Sequence, residues 1–192
     1  MASPKKLSVA VVSIRPEICE MLHRYVGGIL KDLAAVEVCT VSQALNREFD
    51  LYVVYTVGIV FRELNKTVAT DRIISVSLFP LPQGIKRVLR LPEGSHLGII
   101  AGHIWDAADL LGQLISVGVR DFRFSTGTLE TAVEMKADCY IVPEEIAPYI
   151  KDENIKKLMT VVPRSLDSKS VADIIKRAIK AQAARGAFNH SC

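Results

Sequence analysis

Short apolar runs rich in β-branched residues recur along the chain at Leu7–Ile14, Val36–Val41, Leu51–Val57, Ile73–Phe79, Leu97–Ala101, Phe122–Phe124, Cys139–Val142 and Leu158–Val162. Continuous runs bounded by turn residues mark strands covered on both faces in a parallel sheet. Between them lie helical patterns. Pro16–Leu33 spaces Ile18, Met21, Leu22, Tyr25, Val26, Ile29 and Leu30 along one face, with Pro16 tolerated in the first turn. Trp105–Val117 repeats the pattern with Ala108, Leu111, Leu114 and Ile115, and Gly118 is a natural terminator. Ser168–Ala181 aligns Val171, Ile174, Ile175, Ala178 and Ile179, with Ser168 or Ser170 as N-cap candidates. This alternation predicts an α/β fold with mainly parallel sheets.

The order of elements repeats. VEVCTVSQALNREFDLYVVYTVGIVFREL (Val36–Leu64) parallels RDFRFSTGTLETAVEMKADCYIVPEEIAPYI (Arg120–Ile150), and Asp50 before LYVVY matches Asp138 before CYIV, 88 positions later. The preceding units, LSVAVVSIRPEICEML and LGIIAGHIWDAADLL, also correspond. So do the following ones, IISVSLFPLPQGIKRVL and LMTVVPRSLDSKSVADIIKRAI. Two similar Rossmann-like α/β lobes are expected, 1–93 and 94–192, joined at the turn-rich Leu91–Ser95. A single α/β domain with coincidental regularity is the alternative. Parallel sheets bind ligands beyond the carboxyl ends of their strands. Two facing lobes would form a periplasmic-binding-protein-like cleft that closes on a small molecule.

Composition narrows the function classes. With 192 residues, 49% of them hydrophobic, and a net charge of +3, disorder and a dedicated nucleic-acid binder are both disfavoured. The first apolar run is too short for a membrane span and lacks a signal-peptide cleavage site after it. Cys19, Cys39, Cys139 and Cys192 have no metal-type or C-x-x-C spacing. These features point to a cytoplasmic chain with no membrane association, no metal and no cofactor.

Candidate ligand-binding residues sit where strands are expected to end. Ser13 and Arg15 precede a helix N-terminus, where dipole, N–H groups and guanidinium all favour an anion; a capping Ser13 with a solvated Arg15 is the plain reading. The matching loop of the second half offers Gly102 and His103. Ser125, Thr126, Gly127 and Thr128 place three hydroxyls and a glycine in four residues, an anion nest or a helix cap. Tyr55 and Thr56 end a later strand, Glu144 and Glu145 read as first-turn helix residues, and Arg164 with Ser165 adds a cation and a hydroxyl.

Catalytic signatures are weak, and no catalytic residue is assigned. There is no G-x-G-x-x-G or G-x-x-x-x-G-K-[ST]. No acidic pair follows the first strand as in a phospho-acceptor receiver. Cys39 ends its strand but Cys139 begins one, unlike the paired thiols of two-lobed racemases, and no Ser-His-Asp or metal cluster stands out. The stretch LLGQLISVGVRDFRFSTGTLETAV has a faint helix-turn-helix look, but Arg120–Phe124 reads better as a strand.

The runs FDLYVVYTVGIVFREL, IISVSLFPLPQGIKRVLRLPEGSHLGIIAG and VVPRSLDSKSVADIIKRAI resemble the two-lobed effector-binding C-terminal domain of GntR-type bacterial transcription regulators. The plan is also similar to the N-terminal sensor domain of propionate-regulator-type enhancer-binding activators. The resemblance covers residues 7–181 as pattern. It implies a small-molecule cleft, a homodimer, and DNA contact through a separate module, since no winged-helix segment stands before Leu7. The expected function is therefore sensing of a small anionic metabolite within a transcriptional regulator. The alternative is a cofactor-free isomerase or lyase using the same cleft.

Overall fold

The computed structural model describes residues 6–55 and 58–188, the last three as backbone alone, so Thr56 and Cys192 lie outside the described residues. In chain order the elements are β1 (Leu7–Val12), α1 (Pro16–Ile29), β2 (Ala34–Cys39), α2 (Val41–Asn46), β3 (Leu51–Tyr55), α3 (Ile59–Leu64) and β4 (Ile73–Val76). There follow β5 (Leu78–Pro80), α4 (Pro82–Val88), β6 (His96–Ala101), α5 (Ile104–Ser116), β7 (Arg123–Thr128) and β8 (Cys139–Pro143). The chain closes with α6 (Glu153–Leu158), β9 (Met159–Val162), β10 (Arg164–Leu166) and α7 (Ser168–Phe188). Two four-stranded parallel sheets, ordered β2-β1-β3-β4 and β7-β6-β8-β9, hold the apolar runs in their interiors, and β5 pairs with β10. The α/β class with parallel sheets is thus as expected. No helix among the described residues is long and apolar enough to cross a membrane.

The internal repeat extends to registers and single hydrogen bonds. Val9 stands opposite Val36 and Leu51, while Leu97, 88 positions on, stands opposite Phe124 and Cys139 at the same offset. Asp50 Oδ2 accepts from the Ser8 amide at 2.6 Å, and Asp138 Oδ2 accepts from the His96 amide at 2.8 Å. The Phe49 amide donates to the Tyr52 hydroxyl as the Ala137 amide does to that of Tyr140. In each sheet a carboxylate therefore pins the start of the central strand. A charged acceptor on a backbone N–H is worth more than a neutral one.

The chain divides into two compact units differently from the expected split at 93/94. One unit comprises Met1–Ser77 and Leu166–Cys192, the other Leu78–Ser165. The cause is local. Only Ser77 separates β4 from β5, and only Pro163 separates β9 from β10. The apolar run Ile73–Phe79, expected as one strand, breaks at Ser77 into strands of different sheets. Consequently α4 packs on β9, while α7 packs on β4, β1 and β3. The last helix of each repeat covers the other repeat's sheet. In the first unit, Arg177 Nη1 donates to the carbonyls of Thr70, Asp71 and Ile73, and Arg185 pairs with Asp50 at 2.7 Å, fixing α7. The helix start is held by Asp167, whose Oδ1 accepts from the Ser170 amide at 2.6 Å. Neither Ser168 nor Ser170 caps it; the Ser170 hydroxyl accepts from the Ser77 amide instead.

Gly84 records the tightness of α4 on β9: an added Cβ would stand 2.9 Å from Val162 Cγ1 and 3.3 Å from Val162 Cα. In an exposed helix interior Gly→Ala stabilises by about 1 kcal/mol. Here overpacking reverses the sign, and Gly84→Ala is expected to lower stability by about 1–3 kcal/mol, read as a lower urea midpoint.

Candidate functional site

In a sheet ordered like β7-β6-β8-β9, the loops leaving β6 and β8 diverge at the carboxyl edge, the place where parallel sheets ordinarily bind ligands. Gly102 and His103 follow β6, Thr128 ends β7, Glu144 and Glu145 follow β8, and Arg164 lies just beyond β9. The most strongly buried charge of this unit is here. Arg164 is 2% exposed and forms an ion pair with Glu145, whose side chain is 6% exposed. From α5, Asp106, Asp109 and Gln113 project at three- and four-residue spacing, one polar stripe on an otherwise apolar helix. Gln113 Nε2 donates to Asp109 Oδ2 and to the Leu78 carbonyl, each at 2.8 Å, tying the stripe to β5.

Electrostatics follow from this packing. Burial raises the Asp109 carboxyl above its usual range; Arg164 pulls it back and Asp106 adds to the rise. Glu145 Oε2 and Gln113 Oε1 are buried acceptors with no hydrogen-bond partner among the described residues. The cluster is therefore a guanidinium set among acceptors, suited to a ligand that brings both a carboxylate and hydrogen-bond donors.

The first unit has the equivalent edge. Ser13 and Arg15 follow β1 and Tyr55 ends the neighbouring β3, so these predicted residues share one sheet end. Ser13 Oγ accepts from the Arg15 amide at 3.1 Å, and Arg15 Nε stands 3.5 Å from Glu17. Arg15 itself occupies the N-cap of α1 without a side-chain capping bond, with Pro16 next. Thr56, expected beside Tyr55, lies outside the described residues.

Two expectations for the second unit are corrected. Ser125 and Thr126 are not in a loop: β7 runs through to Thr128, opposite Ala101, because the β-branched threonines extend the strand. Ser125 Oγ lies 2.9 Å from Nε2 of His96, which begins β6, and so is away from the carboxyl edge. Gly127 is a packing glycine, since a Cβ would come within 2.6 Å of Met135 Sδ. His103 is the N-cap of α5, its Nδ1 accepting from the Trp105 amide at 3.2 Å. The sequence reading also missed Glu145 as the partner of Arg164, Asp109 within reach of its charge, and Gln113 bonded to Asp109. Glu145 read as a helix residue, and only the three-four spacing of polar positions on α5 signalled the others.

Two concavities of the first unit lie at the opposite, amino-terminal strand ends. One, of about 320 Å³, is lined by Arg47, Glu48, Tyr52 and Arg72. The other, of about 600 Å³, runs along α7 beside Leu51, Thr70 and Arg72. Neither includes a predicted ligand residue. They are shaped by scaffold arginines, with Arg72 donating to the carbonyls of Phe49 and Asp50. Burial pushes the Cys19 and Cys39 thiols up, so both are neutral at pH 7 and unsuited to thiolate chemistry. No cluster of three metal-ligating side chains occurs among the described residues. Comparison with protein-family profiles and with curated proteins gives no match.

Two outcomes test the cluster. Arg164→Met leaves Glu145 buried without its guanidinium and is expected to cost about 3–5 kcal/mol in chemical denaturation, whereas adding Glu145→Leu restores most of that loss. Asp109 has a raised folded pKa, so its contribution is fully present below the unfolded value of about 3.9 and is lost as pH rises through the folded value. The stability of Asp109→Asn relative to the unsubstituted chain should therefore climb across that window. The climb is small because Asp109 is solvent-exposed and its shift is screened; denaturation midpoints measured across the acid range would read it.

Proposed function

We propose that this chain is a cytoplasmic small-molecule-sensing domain of a transcriptional regulator, recognising a small anionic metabolite at the carboxyl ends of its strands. The observation that carries this reading is the buried Arg164–Glu145 pair beyond the carboxyl ends of β8 and β9. An arginine fork suits planar carboxylates. The first unit supplies Arg15 at its own β1/β3 edge, beside Ser13 and Tyr55. Dimerisation and DNA contact through a separate module belong to the same reading. Ligand would act through its differential affinity for two states of the chain.

A cofactor-free isomerase or lyase is the second reading, and Asp109 is the observation that favours it. A carboxyl raised by burial beside an arginine is the kind of group that enzymes use to move protons.

Thermal-shift and calorimetric titration with a panel of mono-, di- and tricarboxylates separates these readings. The sensing reading expects at least one stabilising acid, about 2.7 kcal/mol at a hundredfold excess over Kd, without turnover by NMR. Arg164→Lys should weaken binding at the second unit's edge, and Arg15→Ala binding at the first unit's edge, each at least about tenfold, 1.4 kcal/mol. Turnover that is lost in Asp109→Asn selects the enzyme. A blank panel, or affinity at each edge unchanged by its own arginine substitution, overturns the reading.

A further inference from the structure

Helix α7 buries Ser170, Ile174 and Ala178 against the first unit's sheet. Its outward side is not the polar face that a terminal surface helix normally shows. Ala172, Ile175, Ile179 and Ala183 form an exposed stripe at three- and four-residue spacing, with Ile175 39% and Ile179 57% exposed. Next to it around the helix comes a row of lysines, Lys169, Lys176 and Lys180, all exposed and none in an ion pair among the described residues. The concavity of about 600 Å³ begins on the far side of that row, and Lys176 and Lys180 form its rim. The nearby carboxylate of Asp173 is already taken by Arg177, at 3.1 Å.

We propose that this face of α7 is an interaction surface for an acidic amphipathic helix of a partner. Two isoleucines one turn apart, bordered by small alanines, form the seam into which one stripe of an apposed helix packs. The lysine row decides the partner's charge. Glutamates flanking the partner's apolar stripe would meet Lys176 and Lys180, and Lys169 extends the same row towards the helix start. A second copy of this chain is a poorer occupant, because pairing two such faces brings lysine rows together with no acidic row opposite them. The surface lies along a helix anchored by Arg177 and Arg185, so it needs no rearrangement to bind. It is independent of the ligand-binding reading and shares no residue with that site.

The test uses the full chain and a fluorescent synthetic helix with leucine at the a and d positions and glutamate at the flanking positions. The same peptide with lysine for glutamate is the control. Anisotropy should show saturable binding of the acidic peptide that weakens with salt, and none of the basic one. Ile175→Ser/Ile179→Ser should weaken binding about tenfold or more, which is 1.4 kcal/mol. Lys176→Glu/Lys180→Glu should abolish binding of the acidic peptide and admit the basic one. All four positions are exposed, and circular dichroism checks that the variants remain folded. Absence of binding, equal binding of both peptides, or affinity unchanged by the isoleucine substitutions overturns the proposal. So does a concentration-dependent dimer that Ile175→Ser/Ile179→Ser dissolves, which assigns the face to a second copy.

Discussion

A parallel strand needs a crossover of a dozen or more residues before the chain can pair again in the same sheet. After β4 and again after β9 this chain has a single residue, Ser77 or Pro163, before it is extended once more. It cannot fold a helix back, so it leaves the sheet. The helix that follows each departure, α4 or α7, then covers the sheet on which it arrives. Gly84 is bare because α4 is pressed onto Val162, and Arg164 sits in β10 because the chain is crossing there. Gln113 reaches the Leu78 carbonyl because β5 lies where the first crossing lands.

The second constraint is electrostatic and is used twice. Asp50 and Asp138 each accept from the backbone at the start of a central strand, and the neighbouring amides donate to Tyr52 and Tyr140. A one-residue slip would break these bonds and carry every buried side chain to the other face. With the amino ends pinned, the carboxyl ends fall in register: Ala101 stands opposite Thr128, and Val12 opposite Cys39. In the first unit the same Asp50 also receives Arg185 from α7, so one carboxylate joins strand register to helix placement.

Periodicity carried most of this architecture. The apolar runs located the sheet strands, and the Asp50/Asp138 match announced the repeat, because burial on both faces leaves so plain a trace. Periodicity could not show that Ile73–Phe79 contains a break, since a strand bending from one sheet into another stays apolar throughout. Nor could it show that α7 leaves its own repeat, which depends on the length of a link and not on any side chain. At the candidate strand edges, Arg164 in one unit and Arg15, Ser13 and Tyr55 in the other were legible as polar residues at strand ends. Ser125 and Thr126 were misplaced because hydroxyls mark a turn and an edge strand equally well. Glu145 was misread because an acid soon after a strand is ordinarily a helix-dipole residue.

Arg72 and Arg177 each pair with a side-chain carboxylate, Glu48 or Asp173, but they also donate to main-chain carbonyls, which cannot leave, so these guanidiniums are part of the scaffold. Arg164 holds a side-chain carboxylate, in a position where desolvation consumes much of what the pairing gains. A pair of apolar residues of similar volume would serve stability as well, so stability gives little reason for this one. A carboxylate partner, however, can be exchanged for another carboxylate with the charge around the guanidinium conserved. In the proposed sensing role an incoming acid would have to supply only the difference between its own fit and that of Glu145, and displacing Glu145 would couple binding to the turn that carries it.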